Sequence, residues 1–281
     1  MADSGSMRLR SVQAPIIPLV DQLIQQYPGT ISFGQGVVHY GPPDQAKKRL
    51  QDFWSDAAHH KYGPILGAPP LQACIRKKLE KENQINLSGR SIVVTAGSNM
   101  GFLNLVLAIT DPGDEVILPN RSWIATAHAV TILGGKVILA DVEKSRPLLA
   151  SDRLEELIST KTKAVIPVHL NGRAADLRKI QEISGFYEVP VIEDAAQAIG
   201  SQYQNALLGT FGTIGCFSFS VAKTLATGQG GVAITEDDNI AGSLRAMRTH
   251  GVENVKDPGK WQMPGSNFRF TDIAASIGLV Q

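Results

Sequence analysis

The sequence predicts an α/β protein with three layers, in which helices cover both faces of a mostly parallel central sheet. From residue 91 to residue 195, short runs rich in β-branched residues alternate with helical stretches. The runs are apolar throughout, which indicates strands that are buried on both faces. Helices between successive strands imply right-handed crossovers. With 281 residues, 43% of them hydrophobic, the chain is long enough to bury a sizeable core.

The predicted elements follow one another from residue 69. "PPLQACIRKKLEKEN" has two prolines at its start and apolar residues on one face, as amphipathic helices do. Strands are predicted within 91–95, 111–119, 136–142, 163–170 and 189–195. Helices are predicted within 69–83, 99–109, 151–160, 175–187 and 270–281. Residues 1–60 show loop signals without this rhythm, so we expect an N-terminal arm and loop segment over 1–60 and one large domain over 61–281.

Charge and cysteine content narrow the class of partner. A net charge of +1 gives no reason to expect nucleic acid or a membrane surface as partner. No apolar run approaches the roughly 20 residues of a membrane span, and the first ten residues lack the apolar core of a secretory signal. The two cysteines and six histidines show no disulfide or metal spacing, so we expect a cytoplasmic protein without a metal site.

Two strand ends carry candidate ligand groups. After 91–95 comes "TAGSN", where Gly97, Ser98 and Asn99 expose backbone N–H groups at a helix N-terminus, a setting that binds anions. Turn geometry alone explains these small residues equally well. "VIEDAAQAIG" places Asp194 at a strand end, either aimed at a cationic ligand atom or capping the next helix.

The segment "FSFSVAKTLATGQGG" carries Ser218 and, five residues later, Lys223 among apolar residues. A lysine is rarely buried without a partner, although it can extend its amine from a strand end to water. An amine, a carboxylate and a phosphate cradle together fit pyridoxal 5′-phosphate (PLP), which needs all three. A dinucleotide site does not fit, because "TGQGG" precedes the predicted strand "GVAITED" and does not lead from a strand into a helix.

The motifs "VIEDAAQAIGSQYQNALLGTFGTIGCFSFSVAKTLATGQGG", "PNRSWIATAHAV", "KAVIPVHLNGRAADL" and "PGSNFRFTDIAASIGLVQ" resemble the DegT-type sugar aminotransferases, which are fold-type-I PLP enzymes. The resemblance covers about residues 119–281. It implies that Lys223 is the Schiff-base lysine and that Asp194 pairs with the pyridine nitrogen. It also implies contacts of Gln197 with the cofactor's 3-oxygen, and stacking of Trp123 on its ring.

The same resemblance assigns phosphate contacts. Ser218 is expected to bind the cofactor phosphate together with Gly97, Ser98 and Asn99, and Asn267 to reach the phosphate of the partner subunit in a homodimer. This chain departs from the family's usual pattern in having Gln229 where glutamate is usual, and "GSN" where Ser-Gly-Thr is usual.

Residues 30–118 are similar to another branch, the class I aspartate-type aminotransferases, through "ISFGQGVVHYGPP", "HKYGPILGAPPLQACIRKKLEKEN" and "SIVVTAGSNMGFLNLVLAITDPGDEVI". That pattern implies that Tyr62 contacts the phosphate across the dimer and that Gly36 lies near the substrate carboxylate. The chain is therefore expected to be a hybrid of two related enzymes. Both families continue past residue 281 into a small C-terminal domain, which we expect to be missing here.

The resemblance implies a PLP-dependent transaminase that moves an amino group from an amino acid, glutamate, to a nucleotide-linked keto sugar. A class I transaminase acting on amino and keto acids is one alternative. A PLP lyase, racemase or dehydratase is another, although the family's dehydratases replace the lysine that is present here as Lys223. A truncated or hybrid protein that binds PLP without turnover is the third.

Overall fold

A computed structural model describes residues 16–32, 38–61, 63–64, 66–252, 261 and 263–281. Contacts divide the chain into two compact units, Met1–Tyr40 and Gly41–Gln281. The first unit contributes helix α1, Ile16–Gln26, none of whose residues is buried. The second unit contains the sheet and the candidate site. The expected division into domains after residue 60 stays a prediction.

The second unit alternates strands and helices as predicted. Its strands are β1 Ser91–Thr95, β2 Glu115–Pro119, β3 Lys136–Ala140, β4 Thr162–Val165, β5 Ile192–Asp194, β6 Gln202–Tyr203, β7 Ala206–Leu207, β8 Ile214–Ser218 and β9 Gly231–Thr235. Its helices are α2 Asp44–Ser55, α3 Pro69–Lys77, α4 Ser98–Ile109, α5 Ile124–Ile132, α6 Leu154–Leu157, α7 Leu177–Phe186, α8 Asp238–Met247 and α9 Asp272–Gly278.

Local capping chemistry explains where several helices begin. Pro69 and Pro70 occupy the first helical positions of α3, where a missing N–H costs nothing. The Asp237 carboxylate accepts hydrogen bonds from the first N–H groups of α8, and Thr271 caps α9 in the same way. Helix α4 has Gly97 as its N-cap and, like α2, α3 and α5, has no side-chain cap. Its first N–H groups are therefore left for another acceptor.

Seven of the described strands form one layer in the order β3-β2-β4-β5-β8-β9-β1, and β6 and β7 form a separate hairpin. Hydrogen-bonded ladders join β3-β2-β4 and β5-β8-β9-β1, and parallel bridges between Val165 and Val191 and between Val168 and Asp194 connect the two groups. The pairs β2–β3, β2–β4 and β5–β8 are parallel. Strand β9 runs antiparallel to both of its neighbours, β1 and β8. The sheet is thus mostly parallel, as predicted.

Buried clusters lie on both faces of this sheet. On one face, α4, α5 and α8 bury Phe102, Leu105, Val130 and Leu244 against alternate strand residues. On the other face, clusters with residues of α6 and α7 pack against Ile117, Val165, Val232 and others. Successive residues of β2 and β9 point to opposite clusters, as a strand buried on both faces requires. The structure confirms the three-layer αβα prediction.

Several elements differ from the sequence prediction. The predicted helix 69–83 is α-helical to Lys77 and ends in a π-turn over Lys78–Glu82. The predicted helix 151–160 shrinks to a 3₁₀ turn and the one-turn α6. A hairpin, β6–β7, was not predicted. Across the residues described, no helix has both the length and the apolar character needed to span a bilayer.

Candidate functional site

Strand register brings three strand ends together at one edge of the sheet. Gly231, the first residue of β9, pairs with Thr95 at the end of β1 and with Ser218 at the end of β8. On the far side of β8, Asp194 at the end of β5 pairs with Cys216. Ligands of open α/β sheets bind beyond such carboxyl ends. The turn after β1, Ser218 and Asp194 therefore face a common region.

Asp194 is only 6% exposed, and two groups hold its carboxylate. Oδ2 accepts a hydrogen bond of 2.9 Å from Thr126 Oγ1, and Oδ1 accepts one of 3.2 Å from the N–H of Ala196. Burial raises the pKa of Asp194 above its usual range, while Thr126, Ala196, His169 and Lys223 act in the opposite direction. A turn, and no helix, follows Asp194, so the helix-capping alternative was wrong.

Lys223 lies in the turn after β8, where its N–H donates to the Ser220 carbonyl. Its side chain is half-buried. Burial lowers the pKa of Lys223 below its usual value, and the nearby Asp194 charge opposes this shift. Within the described chain, the two groups do not come within ion-pair distance. The charge of Asp194 thus affects the pKa of Lys223, although the two side chains form no ion pair.

The Gly97–Ser98–Asn99 turn lies against β9 and the end of β8. A Cβ at Gly231 would lie 2.5 Å from Ser98 N, 2.7 Å from Gly97 C and 2.8 Å from Phe217 O. Only glycine at position 231 permits this approach of backbones. Gly97 has open space on its own Cβ side. Ser218 is buried, and its Oγ accepts from the Ser220 N–H at 3.3 Å. An uncapped helix N-terminus therefore lies beside a serine hydroxyl, which suits a phosphate.

The other predicted site residues that the structure describes have no described contact with Asp194 or Lys223. Trp123 is 55% exposed as the N-cap of α5, one turn before Thr126, so a core role is excluded. Gln197 is exposed, and its Oε1 accepts from the Asn171 N–H at 2.8 Å. Asn267 accepts from Arg269 Nε at 2.7 Å and forms a bridge with Thr249, and the structure describes no contact between it and Asp194 or Lys223. Tyr62 and Gly36 lie outside the described residues.

Sequence analysis missed the groups that support Asp194. Thr126 follows Trp123 at i+3, a spacing that places both on one helix face, and that signal was available. On the opposite side of the strand, Glu193 is fully buried and accepts from His169 Nε2 at 2.9 Å. It also accepts from three backbone N–H groups, those of Gly209, Phe211 and Gly212. No short-range pattern reveals this network.

The site combines a buried acid, an amine of lowered pKa and an anion-binding turn. This set can hold a ligand that carries a phosphate at one end and a cationic ring atom at the other. Nothing in the described part of the chain gathers three or more His, Cys, Asp or Glu side chains into a metal-binding group. An amine of lowered pKa, a buried acid and a helix N-terminus without a side-chain cap suit an organic phosphate and proton transfer.

The architecture and the polar edge of its sheet define the class of protein, an α/β protein of the aminotransferase fold. The chain belongs to the DegT/DnrJ/EryC1/StrS aminotransferase family, whose model matches residues 80–281. The match begins at residue 80 and so includes part of residues 30–118, for which the sequence analysis predicted a class I likeness that stays a prediction.

Individual relatives agree with this placement. The chain is 38% identical over 194 residues to GDP-perosamine synthase of Caulobacter vibrioides, over 68% of this chain and 51% of that relative. The structure of NtdA from Bacillus subtilis with bound cofactor PMP matches with a TM-score of 0.72 and 26% identity, over 90% of this chain and 57% of that one. DesI, solved in the presence of its TDP-sugar product, matches with a TM-score of 0.73 and 25% identity, over 90% and 62%. The chain thus spans about half the length of the curated relative.

Proposed function

We propose that this protein is a PLP-dependent transaminase, which transfers an amino group from an amino acid donor, glutamate, to a nucleotide-linked keto sugar. The observation that carries the proposal is that Lys223, in the turn after β8, and the buried Asp194, at the end of the neighbouring strand β5, lie at the same edge of the sheet. The names of two relatives support the sugar, because one is a GDP-perosamine synthase and the other was solved with a TDP-sugar product.

The site fits the cofactor by the chemistry of its donors. Asp194 is buried with a raised pKa, so a cationic ring nitrogen beside it would offset the cost of its charge. The uncapped N-terminus of α4 and the Ser218 hydroxyl provide donors for a phosphate. When bound, PLP supplies an aldehyde carbon and a ring that accepts electrons.

Lys223 is the proposed general base and acid. Its lowered pKa increases the fraction of neutral amine at physiological pH, and only the neutral amine can attack a carbonyl or accept a proton. With PLP bound, the neutral Nζ of Lys223 would take the proton from the donor carbon as a base and give it back as an acid. Lys223 and Asp194 are thus the proposed catalytic residues.

The remaining residues bind and orient the cofactor in this proposal. Asp194 keeps the ring nitrogen protonated, and Thr126 fixes one oxygen of that carboxylate. Gln197 contacts the 3-oxygen, and Trp123 covers one face of the ring, which its exposure in the single chain permits. Ser218 holds the phosphate together with the turn of Gly97, Ser98 and Asn99.

We further propose a cytoplasmic homodimer whose sites are shared across the interface. In this arrangement the partner subunit receives Asn267, which makes no described contact with Asp194 or Lys223 within its own chain. Tyr62 is assigned the same role by the class I pattern. We also propose that residues 30–118 are related to class I aminotransferases and that the chain is a hybrid of two related enzymes.

A second candidate is a protein that binds PLP without turnover. A class I transamination of amino and keto acids remains the alternative reaction.

Borohydride trapping tests the proposal. The protein is incubated with PLP, reduced, digested and analysed by mass spectrometry, and we expect the cofactor mass on the peptide that contains Lys223. Lys223→Ala should lose the yellow band and the adduct while still folding. An adduct on another peptide, or none, contradicts the proposal. Conversion of the band by glutamate then separates transamination from binding without turnover.

A further inference from the structure

A second cavity lies at the opposite end of β1 from the candidate site. It has a volume of about 420 Å³, and its lining includes Arg76, Arg90, Arg245 and Arg248. We call it the arginine cavity. Its other lining residues include Leu66, and Ser91 and Ile92 at the start of β1. The described residues that line it include no aspartate or glutamate.

The four arginines come from separate parts of the fold. Arg76 belongs to α3, Arg90 precedes β1, and Arg245 and Arg248 lie at the C-terminal end of α8. A basic residue at a helix C-terminus is favoured by the helix dipole, and that effect explains Arg245 and Arg248 individually. It does not explain why guanidinium groups from α3 and from the segment before β1 line the same cavity.

The backbone holds several of these groups in place. Arg76 donates to the carbonyls of Leu87 and Arg90, each at 3.5 Å, and Arg90 Nη2 donates to Thr210 O at 3.2 Å. Arg248 Nη1 donates to the Val94 carbonyl on the free edge of β1, and Arg248 is only 2% exposed. A set of donors held in this way is preorganised, so a ligand would lose little additional side-chain entropy.

Like charges meet in this cavity. Burial and the neighbouring Arg245 lower the pKa of Arg248 to about 10, so it remains charged at neutral pH. Carboxylates pair with the cavity's arginines from outside its lining, Glu80 with Arg76 at 3.4 Å and Glu236 with Arg90 at 2.8 Å. Because these carboxylates lie outside the lining, a polyanion inside the cavity would meet only guanidinium groups as charged neighbours among the described lining residues, and it could form charge-assisted hydrogen bonds with them.

We propose that the arginine cavity binds a phosphate-bearing small molecule, such as a diphosphate, at a site separate from the candidate PLP site. Guanidinium groups match phosphate oxygens in geometry as well as charge. The volume exceeds that of a single phosphate ion and lies within the usual range of small-molecule pockets. Ser91 and Ile92 of the lining lie at the start of β1 and Gly97 lies beyond its end, while Arg248 of the lining extends along the strand to the Val94 carbonyl.

Calorimetric titration with inorganic pyrophosphate at constant ionic strength tests this proposal. We expect saturable binding to the wild type, weakened about tenfold or more by Arg245→Gln and by Arg76→Gln, because each removes a charge-assisted contact. Arg153→Gln removes an exposed arginine on the surface and should leave the affinity unchanged. Arg248→Gln is informative only if circular dichroism shows a folded protein, because Arg248 also holds the edge of β1.

Ser218→Ala separates this cavity from the candidate PLP site. We expect it to leave pyrophosphate affinity unchanged, whereas loss of binding in this variant would place the ligand at the cofactor edge and overturn the proposal. Absence of saturable binding to the wild type, or equal affinity of wild type and Arg245→Gln, would also overturn it. None of these outcomes depends on whether the protein is a transaminase.

Discussion

The hydroxyl of Thr126 donates a hydrogen bond of 2.9 Å to Oδ2 of Asp194, across 68 positions of sequence. This contact joins the first turn of α5 to the end of β5. It fixes the carboxylate and stabilises its charged form, against the burial that raises its pKa.

Thr126→Val should weaken PLP binding by about 5- to 100-fold, because an acceptor left unsatisfied in a buried site costs about 1–3 kcal/mol. The pKa of Asp194 should rise further, since Thr126 lowers it. As the pH is lowered, Asp194 of the variant should therefore become protonated earlier, and the variant should lose cofactor affinity at a higher pH than the wild type does. Absorbance titration with PLP between pH 5 and 8 measures both effects. Thr126→Ser retains the hydroxyl and should behave like the wild type.

Lys223→Met should stabilise the cofactor-free protein at neutral pH. The folded-state pKa of Lys223 lies below its unfolded value, so the charged amine penalises the folded state at every pH below that lowered pKa. This destabilisation decreases as the pH rises above the folded-state pKa of Lys223, and it is gone above 10.5, the ordinary pKa of a lysine. Urea unfolding at several pH values should therefore show a gain that shrinks with increasing pH. A gain that is constant or grows would contradict the lowered pKa.

Gly231→Ala should reduce the free energy of unfolding by about 1–3 kcal/mol, because its Cβ would meet three backbone atoms that cannot move independently. It should also weaken phosphate-dependent cofactor binding by displacing the N-terminus of α4. Gly97→Ala is the matched control, since open space surrounds its Cβ direction and its φ of 169° is extended. Equal unfolding midpoints for the two variants would contradict this explanation.

Glu193→Ala should destabilise the protein by about 3–5 kcal/mol, the usual effect of removing one partner from a buried charged network. The change leaves His169 and three backbone N–H groups without their acceptor. Glu193→Gln keeps the acceptor oxygen and should cost less. Chemical denaturation measures the free energy of unfolding of both variants. A smaller loss for Glu193→Ala than for Glu193→Gln would contradict the prediction.

Trp123→Ala should change the free energy of unfolding by no more than about 0.5 kcal/mol, because the side chain is 55% exposed. PLP affinity should nevertheless fall if the indole covers the cofactor ring. Trp54 is 62% exposed on α2 and provides the control substitution Trp54→Ala. Similar cofactor affinity in both variants would remove Trp123 from the site.

Much of the fold could be predicted from the sequence because buried strands leave local patterns. "SIVVT" predicted β1 with both of its ends correct. The direction of "GVAIT" could not be predicted, because an apolar run has the same composition in a parallel and an antiparallel strand, and only the return path after Lys223 decides it. The helix predicted at 151–160 is only a 3₁₀ turn followed by the one-turn α6.

The candidate site was predictable only where residue type and position coincide. A lysine in an apolar segment, Lys223, and an acid at a strand end, Asp194, can be recognised from the sequence alone. Thr126 contacts Asp194 only once α5 lies beside the end of β5, and His169 contacts Glu193 only once the segment after β4 lies beside β5. The arginine cavity is likewise assembled from segments more than 150 positions apart, from Arg76 to Arg248.

The antiparallel strand β9 also governs the order of assembly during synthesis. Thr95 leaves the ribosome 136 residues before its partner Gly231. At 5–20 residues per second, β1 waits roughly 7 to 27 s for the strand that completes its ladder. Because the turn at Gly97 and Ser98 packs against Gly231, we expect nascent chains stalled before residue 231 to bind phosphate at this turn more weakly than chains from which residue 231 has emerged.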